Sequence, residues 1–502
     1  MASLDYAIVA LYMVLVAGIG VWAKGLIHGL EDYFVAGRKA PWWVAAISHH
    51  ISGYSAFVFV GYAAVAYSVG FNIWTLSALP CFLAMSLGAF VWAPRWVRLK
   101  VMTPVEYLER RFNNLVRQLV AWSGILIKFM DEGLKLYSLA LIVATCTGLP
   151  LEWTIAGCGV VAIAYLLLGG LWAEMMTDFV QFLVQFVITI LLVPVVLKAV
   201  GGWGSMWAQL PPDRFRLFSE RFDLPYILVF LVVIVLSYNG GTWGLAQRFY
   251  ALGKPGDAKK AALLSAALYL VYPLAIYIPV WASPILLGPL AEGQREQAYI
   301  LVARKFLPTI APGLLGLLVS AMFAATMSMI DSDINALAAV FTKDIYQRTL
   351  NPKAREERLF RVGLVATAVF GAITVAFGLA TVQIKGAERA FSAMVKWYAA
   401  LLGPVTVPLL FGMLYRRTSW RGALGAWIGG FITFVVCKYW LVGLVVRALT
   451  GHPPSDELAW TLYTGAELSV TFGIFLLEGR LGRMTEGEER KVEALFAQLK
   501  GR

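Results

Sequence analysis

The chain has 502 residues, 60% of them apolar and 14% charged, with a mean hydropathy of +0.72. A water-soluble fold cannot cover that much apolar surface with so few charges, which excludes a soluble enzyme or binding domain. The formal net charge of +12 does not point to nucleic acid, because the basic residues cluster in short segments between apolar runs, where positive charge sets orientation in a bilayer.

Apolar runs of about 20 residues recur along the chain, the signature of membrane-crossing helices. In chain order they fall at about 5–24, 42–66, 71–94, 117–146, 153–171, 175–200, 225–250, 260–287, 312–342, 359–382, 391–415, 420–447 and 458–478, which predicts about thirteen spans. The first run follows Asp5 and has neither a basic leader nor an Ala-x-Ala site, so it is expected to be an uncleaved helix. Loops holding Lys24, Arg38 and Lys39, then Arg95, Arg98, Arg110 and Arg111, then Lys254, Lys259 and Lys260, share one side with Lys343, Arg348, Arg416 and Arg417. That side is expected to be cytoplasmic, with the N-terminus outside and the C-terminus inside. Residues 1–482 read as a single transmembrane domain with core repeats at about 42–200 and 225–415, and 483–502 as a charged cytoplasmic tail. No fused enzyme or sensor module and no obligate protein partner is expected. Cys81, Cys146, Cys158 and Cys437 lie in apolar stretches without paired spacing and read as packing residues.

Two spans carry interruptions. The first contains "SHHISGYS" (Ser48–Ser55) and the other, five spans later, contains "SYNGGTWG" (Ser237–Gly244). Glycine weakens a helix and polar side chains take up freed backbone groups. Breaks at matching places in two halves point to a transporter with inverted repeats and a midplane site; glycine-rich packing interfaces give the same pattern. Ionisable residues inside spans are costly and mark function. They are His49, His50, Asp131, Glu132, Lys135, Asp178, Asp331, Asp333 and Lys396. The densest group is "AATMSMIDSDIN" (Ala324–Asn335), where Ser328 and Ser332 share a helix face with Asp331 beside it. Hydroxyls, a carboxylate and freed carbonyls are hard ligands for a small cation; serine–backbone bonding with a lysine-paired carboxylate is the structural alternative.

Four further stretches, "DYFVAGRKAPWW" (Asp32–Trp43), "TPVEYLERRFN" (Thr103–Asn113), "GGLWAEMMTDFVQ" (Gly169–Gln181) and "FTKDIY" (Phe341–Tyr346), resemble motifs of the sodium/solute symporter family in the same order. The resemblance implies an all-α LeuT-type fold: two inverted five-helix repeats, the first and sixth core helices unwound, one leading span and about two trailing ones. It also implies solute import by alternating access driven by sodium, with no other cofactor and no catalysis. By resemblance, the conserved sodium site takes the carbonyls of Ile51, Tyr54 and Ala325 and the hydroxyl of Ser328. The second hydroxyl position is Met329, whose thioether is a poor ligand for a hard cation. A second ion site of some members maps to Asp178, Asp331 and Ser332. The gating tyrosine of sugar carriers maps to Tyr238, and the substrate positions hold Gly53, Val58, Ser77, Tyr269 and Lys396. The expected solute is a sugar, a sugar acid or a monocarboxylate, with Lys396 favouring a carboxylate if it faces the cavity; a lysine paired with an aspartate, or snorkelling, is the other reading of Lys396. Proton-coupled or cation-independent transport, with His49, His50 and Asp331 as titrating groups, or His49 and His50 in contact with the substrate, is the alternative on the same fold. A membrane solute sensor without net transport is the alternative of another class.

Overall fold

The computed structural model describes residues 1–25, 29–384 and 388–501, and within them every regular element is helical. Helix α1 (Ser3–Lys24) is followed by the bent pair α2 (Trp42–Gly53) and α3 (Val58–Val69), then α4 (Trp74–Val91), α5 (Asn114–Thr147) and α6 (Leu151–Ala199). The second half begins with α7 (Leu224–Gly241) and α8 (Trp243–Tyr250), and continues through α9 (Pro255–Leu287), α10 (Leu314–Leu350) and α11 (Glu356–Thr381). Helices α12 (Arg389–Trp397) and α13 (Ala400–Phe411) form another bent pair, before α14 (Trp420–Thr450), α15 (Asp456–Leu481) and the short α16 (Glu486–Lys500).

Among the described residues, eight helices are long and apolar enough to cross a membrane, or up to eleven if each bent pair is one span. The expected thirteen are therefore not all recovered by that measure. By that measure Leu151–Ala164 counts with Asn114–Thr147 as one bent pair at 119°, and the first apolar run gives only a shorter helix, Ser3–Ile19; helical hydrogen bonding nevertheless runs unbroken from Leu151 to Ala199. Residues 172–174, between the expected spans 153–171 and 175–200, hold neither a proline nor an N-capping residue to stop it.

The breaks expected from the glycines are present. Helices α2 and α3 meet at 53°, with Tyr54 at φ −121, ψ 60 between them. The break between α7 and α8 falls at Thr242, whose extended backbone (φ −86, ψ 103) ends one helix and starts the next. Both are stitched by hydroxyls. Thr326 Oγ1 on α10 accepts from the amide of Ala56 at 2.9 Å, serving the first freed N–H after the break. Ser237 and Thr242 hydroxyls bond at 2.9 Å across the second. Such side-chain partners are what make irregular backbone tolerable at this depth.

Helix α10 packs against α2, α5, α6, α8 and α11, and α9 packs against α2, α4 and α6, so both interrupted helices are enclosed by long ones. The tail helix α16 is capped by a reciprocal Thr485–Glu488 box and buries Val492, Leu495, Phe496 and Leu499. Its Gln498 amide donates to the Arg98 carbonyl at 2.7 Å, so the tail lies on the loop after α4 rather than standing apart.

Candidate functional site

The interruption in α2 is closed over by aromatic rings. A β-carbon at Gly53 would overlap the Tyr269 hydroxyl, so only glycine admits this approach. Tyr269 stacks on Tyr54 with ring centroids 5.1 Å apart, and its hydroxyl donates to the His49 carbonyl at 2.8 Å. Tyr238, from the α7 break, donates to the Gly53 carbonyl at 3.4 Å. The two broken helices therefore meet at Gly53 through two tyrosines.

A cavity of about 70 Å³ lies beside this contact. Gly53 and Ser55 line it from the first break, Ser237, Tyr238 and Thr242 from the second, and Met329 from α10. Asp131 and Lys135 of α5 reach the same cavity. Of the residues expected at the solute, Gly53 and Tyr238 line the cavity. Tyr269 does not line it but packs against Gly53, which does. Val58 is buried in the wide turn Val58–Tyr62 and does not line it. Ser77 is buried and already satisfied, donating to the Ile73 carbonyl and sharing a hydrogen bond with Tyr277, each at 2.8 Å.

Lys396 corrects an expectation. Its ammonium pairs with Asp456 at 2.8 Å, the two side chains being 37% and 73% exposed, beside Arg221 and Glu457. It does not line the cavity. Its position next to the loop before α15 lets it find a carboxylate in water instead.

His49 and His50 do not line the cavity either. Both are buried in ring packing. His49 lies 5.2 Å from Phe249, and His50 lies 4.6 Å from Tyr269 and 5.0 Å from Tyr54, centroid to centroid. Neither ring nitrogen of His50 has a hydrogen-bond partner among the described residues. Surrounded in this way, each imidazole packs as one more flat ring among aromatic neighbours.

For the conserved ion site, Ile51 and Ala325 are brought together, packing with Phe182 in a small buried cluster between α2, α6 and α10. The Ile51 carbonyl accepts from the Tyr54 amide at 3.0 Å, closing a last turn before the break. The side chain of Ser328 lies outside the described residues. Met329 is buried and faces the cavity, so a thioether borders the space where a hydroxyl was expected.

Of the second expected group, Asp178 and Ser332 are brought together around a residue that the sequence alone did not single out, and Asp331 lies within electrostatic reach of them. Arg248 of α8 is fully buried. Its guanidinium donates to Ser48 and Ser52 at 3.0 Å each, to the Gly244 carbonyl at 2.9 Å and to Ser332 at 2.5 Å. It also pairs with Glu174, and with Asp178 at 3.4 Å. Ser48 donates to Asp178, and Ser332 to Glu174. Asp331 is buried within electrostatic reach of Glu174, Asp178 and Arg248, and neither of its carboxylate oxygens has a hydrogen-bond partner among the described residues. One guanidinium thus stands against three carboxylates, Glu174, Asp178 and Asp331, leaving two formal negative charges unmatched.

A separate charged cluster joins α5 to α10. Lys128 pairs with Asp131 at 3.0 Å and Asp333 at 2.7 Å. Lys135 pairs with Asp131 at 2.8 Å, Glu132 at 2.6 Å and Asp333 at 3.2 Å. All five residues are buried. Gly244 links the two clusters: its N–H donates to Asp333 at 2.9 Å while its carbonyl accepts from Arg248 at 2.9 Å. A β-carbon there would press on Asp333 and Ser332, so glycine also sets how closely α8 approaches α10.

Sequence reasoning missed Lys128, Glu174 and Arg248. Arg248 sits two residues from the expected end of its span and was not singled out, and Glu174 fell between two expected spans. The available signal was spacing: Glu174–Asp178 and Lys128–Glu132 are each four apart, one face of a helix.

An all-helical membrane protein with two interrupted helices meeting at a cavity of mixed apolar and polar lining belongs to the class of carriers whose site forms where broken helices cross. The description "Sodium:solute symporter family" matches residues 33–430, and the chain belongs to that family. The chain is 28% identical to a sodium/glucose cotransporter of Vibrio parahaemolyticus, covering 84% of this chain and 83% of that one. It is 24% identical to the sodium/sialic acid symporter NanT of Aliivibrio fischeri, covering 90% and 92%. It is 26% identical to the human sodium/myo-inositol cotransporter 2, covering 90% and 71%. Among solved structures it resembles a substrate-bound, outward-open Na+-coupled sialic acid symporter, with TM-score 0.77, 20% identity and coverage of 96% and 98%. It also resembles Mhp1, a nucleobase-cation-symport-1 family transporter, with TM-score 0.56, 14% identity and coverage of 92% and 98%. The fold is the LeuT type.

Proposed function

We propose that this protein imports a small organic solute across the cell membrane by alternating access, driven by an inward sodium gradient. The N-terminus lies outside and the C-terminus in the cytoplasm, and residues 1–482 act as one transport domain. The solute binds at the cavity between the two breaks, with Tyr238 and Tyr269 closing over Gly53. The observation that carries the reading is Asp331. Its carboxylate is buried, lacks hydrogen-bond partners among the described residues, and belongs to a cluster with two formal negative charges unmatched. A buried carboxylate in that condition calls for a bound cation or a proton, and the sodium-coupled relatives favour the cation. Sodium, a hard cation suited to carboxylate and hydroxyl oxygen, fits Asp331 with Asp178 and Ser332. The carbonyls of Ile51, Tyr54 and Ala325, with Ser328, form the conserved site; Met329 weakens it and shifts the coupling burden toward Asp331.

The test is uptake into proteoliposomes under an imposed sodium gradient. Replacing external sodium by choline is expected to abolish concentrative uptake, and Asp331→Asn to raise the sodium concentration for half-maximal uptake at least tenfold. Equal uptake in choline would defeat the sodium reading. The packing of His49 and His50 among aromatic rings, away from the cavity, gives neither of them support as the proton site; a proton on Asp331 is the remaining proton-coupled reading, and the choline replacement separates it from sodium coupling.

A further inference from the structure

Resting on the transport reading above, we infer that the buried cluster at Asp131 and Lys135 is a charge filter that admits neutral hydroxylated solutes and rejects carboxylates. Asp131 and Lys135 are the charged side chains that line the central cavity among the described residues. A lysine ammonium has three N–H donors. Lys135 has three carboxylates around it, at 2.8 Å (Asp131), 2.6 Å (Glu132) and 3.2 Å (Asp333). Its donors are therefore committed within the protein, and an incoming anion would have to strip one of these carboxylates away.

The charge balance points the same way. Two ammonium groups, Lys128 and Lys135, stand against three carboxylates, Asp131, Glu132 and Asp333, leaving one formal negative charge. An added carboxylate would raise that excess in a buried setting, where like charges repel strongly. Hydroxyls face no such penalty. A solute hydroxyl donates to the Asp131 carboxylate, and its neighbours exchange hydrogen bonds with the polar groups of Ser55, Ser237, Tyr238 and Thr242 around the same cavity. Phe57, Tyr62 and Phe230 complete the wall with flat apolar surface suited to the C–H face of a ring. Lys135, usually read as an anion anchor, acts here as the internal counter-ion that holds Asp131 in place.

The experiment compares solutes that differ only in charge. The full chain, in proteoliposomes with an inward sodium gradient, is offered galactose, galacturonate and galactosamine, the matching glucose series, and myo-inositol. At least one neutral member is expected to enter at ten times the rate of its carboxylate counterpart or more. The amine, which the excess negative charge attracts, is expected to enter faster than the carboxylate; entry of a carboxylate member as fast as its neutral partner or its amine, or no entry of any neutral member, would overturn the filter. A sodium-induced rise in melting temperature, measured separately without solute, tests the sodium reading and separates its failure from this one. In Asp131→Asn the cluster becomes formally neutral. The expected result is at least a tenfold rise in KM for the neutral solute and a narrowed neutral-to-carboxylate ratio, with the sodium-induced thermal shift retained. An unchanged KM and ratio in that variant would also overturn the assignment.

Discussion

The two buried charge clusters share a glycine and a helix yet are built differently. Around Arg248, one planar guanidinium distributes its donors over Ser48, Ser52, Ser332, Glu174 and the Gly244 carbonyl. Around Lys128 and Lys135, two ammonium groups are met almost entirely by carboxylates. Hydroxyls and a carbonyl can re-pair as helices move; a closed set of ion pairs resists it. The first cluster spans α2, α6, α8 and α10, elements on both sides of the break, and includes the under-satisfied Asp331. The second locks α5 to α10 and turns only one edge toward the cavity. One is suited to a cation that comes and goes, the other to a fixed wall that reads solute charge.

The sharpest way to break this contrast is Arg248→Met. It leaves Glu174 and Asp178 buried without their cation, and removing one partner of a buried pair costs about 3–5 kcal/mol. Transport should be lost and the melting temperature should fall. Arg248→Lys should not restore uptake, because a point ammonium cannot replace the guanidinium fork. Next in size is Lys135→Met, expected to cost about 3 kcal/mol for the same reason. Adding Glu132→Gln returns the cluster to one unmatched charge and should recover part of that stability in a thermal melt. If the double variant is no more stable than the single, charge balance is not what holds the wall. Met329→Ser is a smaller effect: restoring a hydroxyl to the conserved site should lower the sodium concentration for half-maximal uptake a few-fold. The smallest is Lys396→Gln. Exposed pairs contribute about 0–1 kcal/mol, so stability, uptake rate and solute preference should all stay close to wild type.

These variants also mark where the sequence was legible. The breaks at Gly53 and Gly240–Gly241 were readable because glycine beside polar residues weakens a helix at a defined point inside an otherwise apolar run. Asp178, Asp331 and Ser332 were readable as a group through the family resemblance. Arg248 was not, because an arginine near the end of an apolar run looks the same whether it turns to the headgroups or inward. Lys396 failed in the opposite direction: inside an expected span by sequence, it finds Asp456, sixty residues on, in the fold.

By itself the sequence determined that this is a many-spanning helical membrane protein with two interrupted helices, because apolar run length and misplaced glycines act locally on the backbone. It also supplied the family, through motifs whose order survives divergence. Which charges share a cluster, which cation is already committed to internal carboxylates, and which side chains border the cavity were decided only by the tertiary structure. Those outcomes depend on how α5, α8 and α10 pack around Gly244, and pairing between distant helices has no period in the sequence to reveal it.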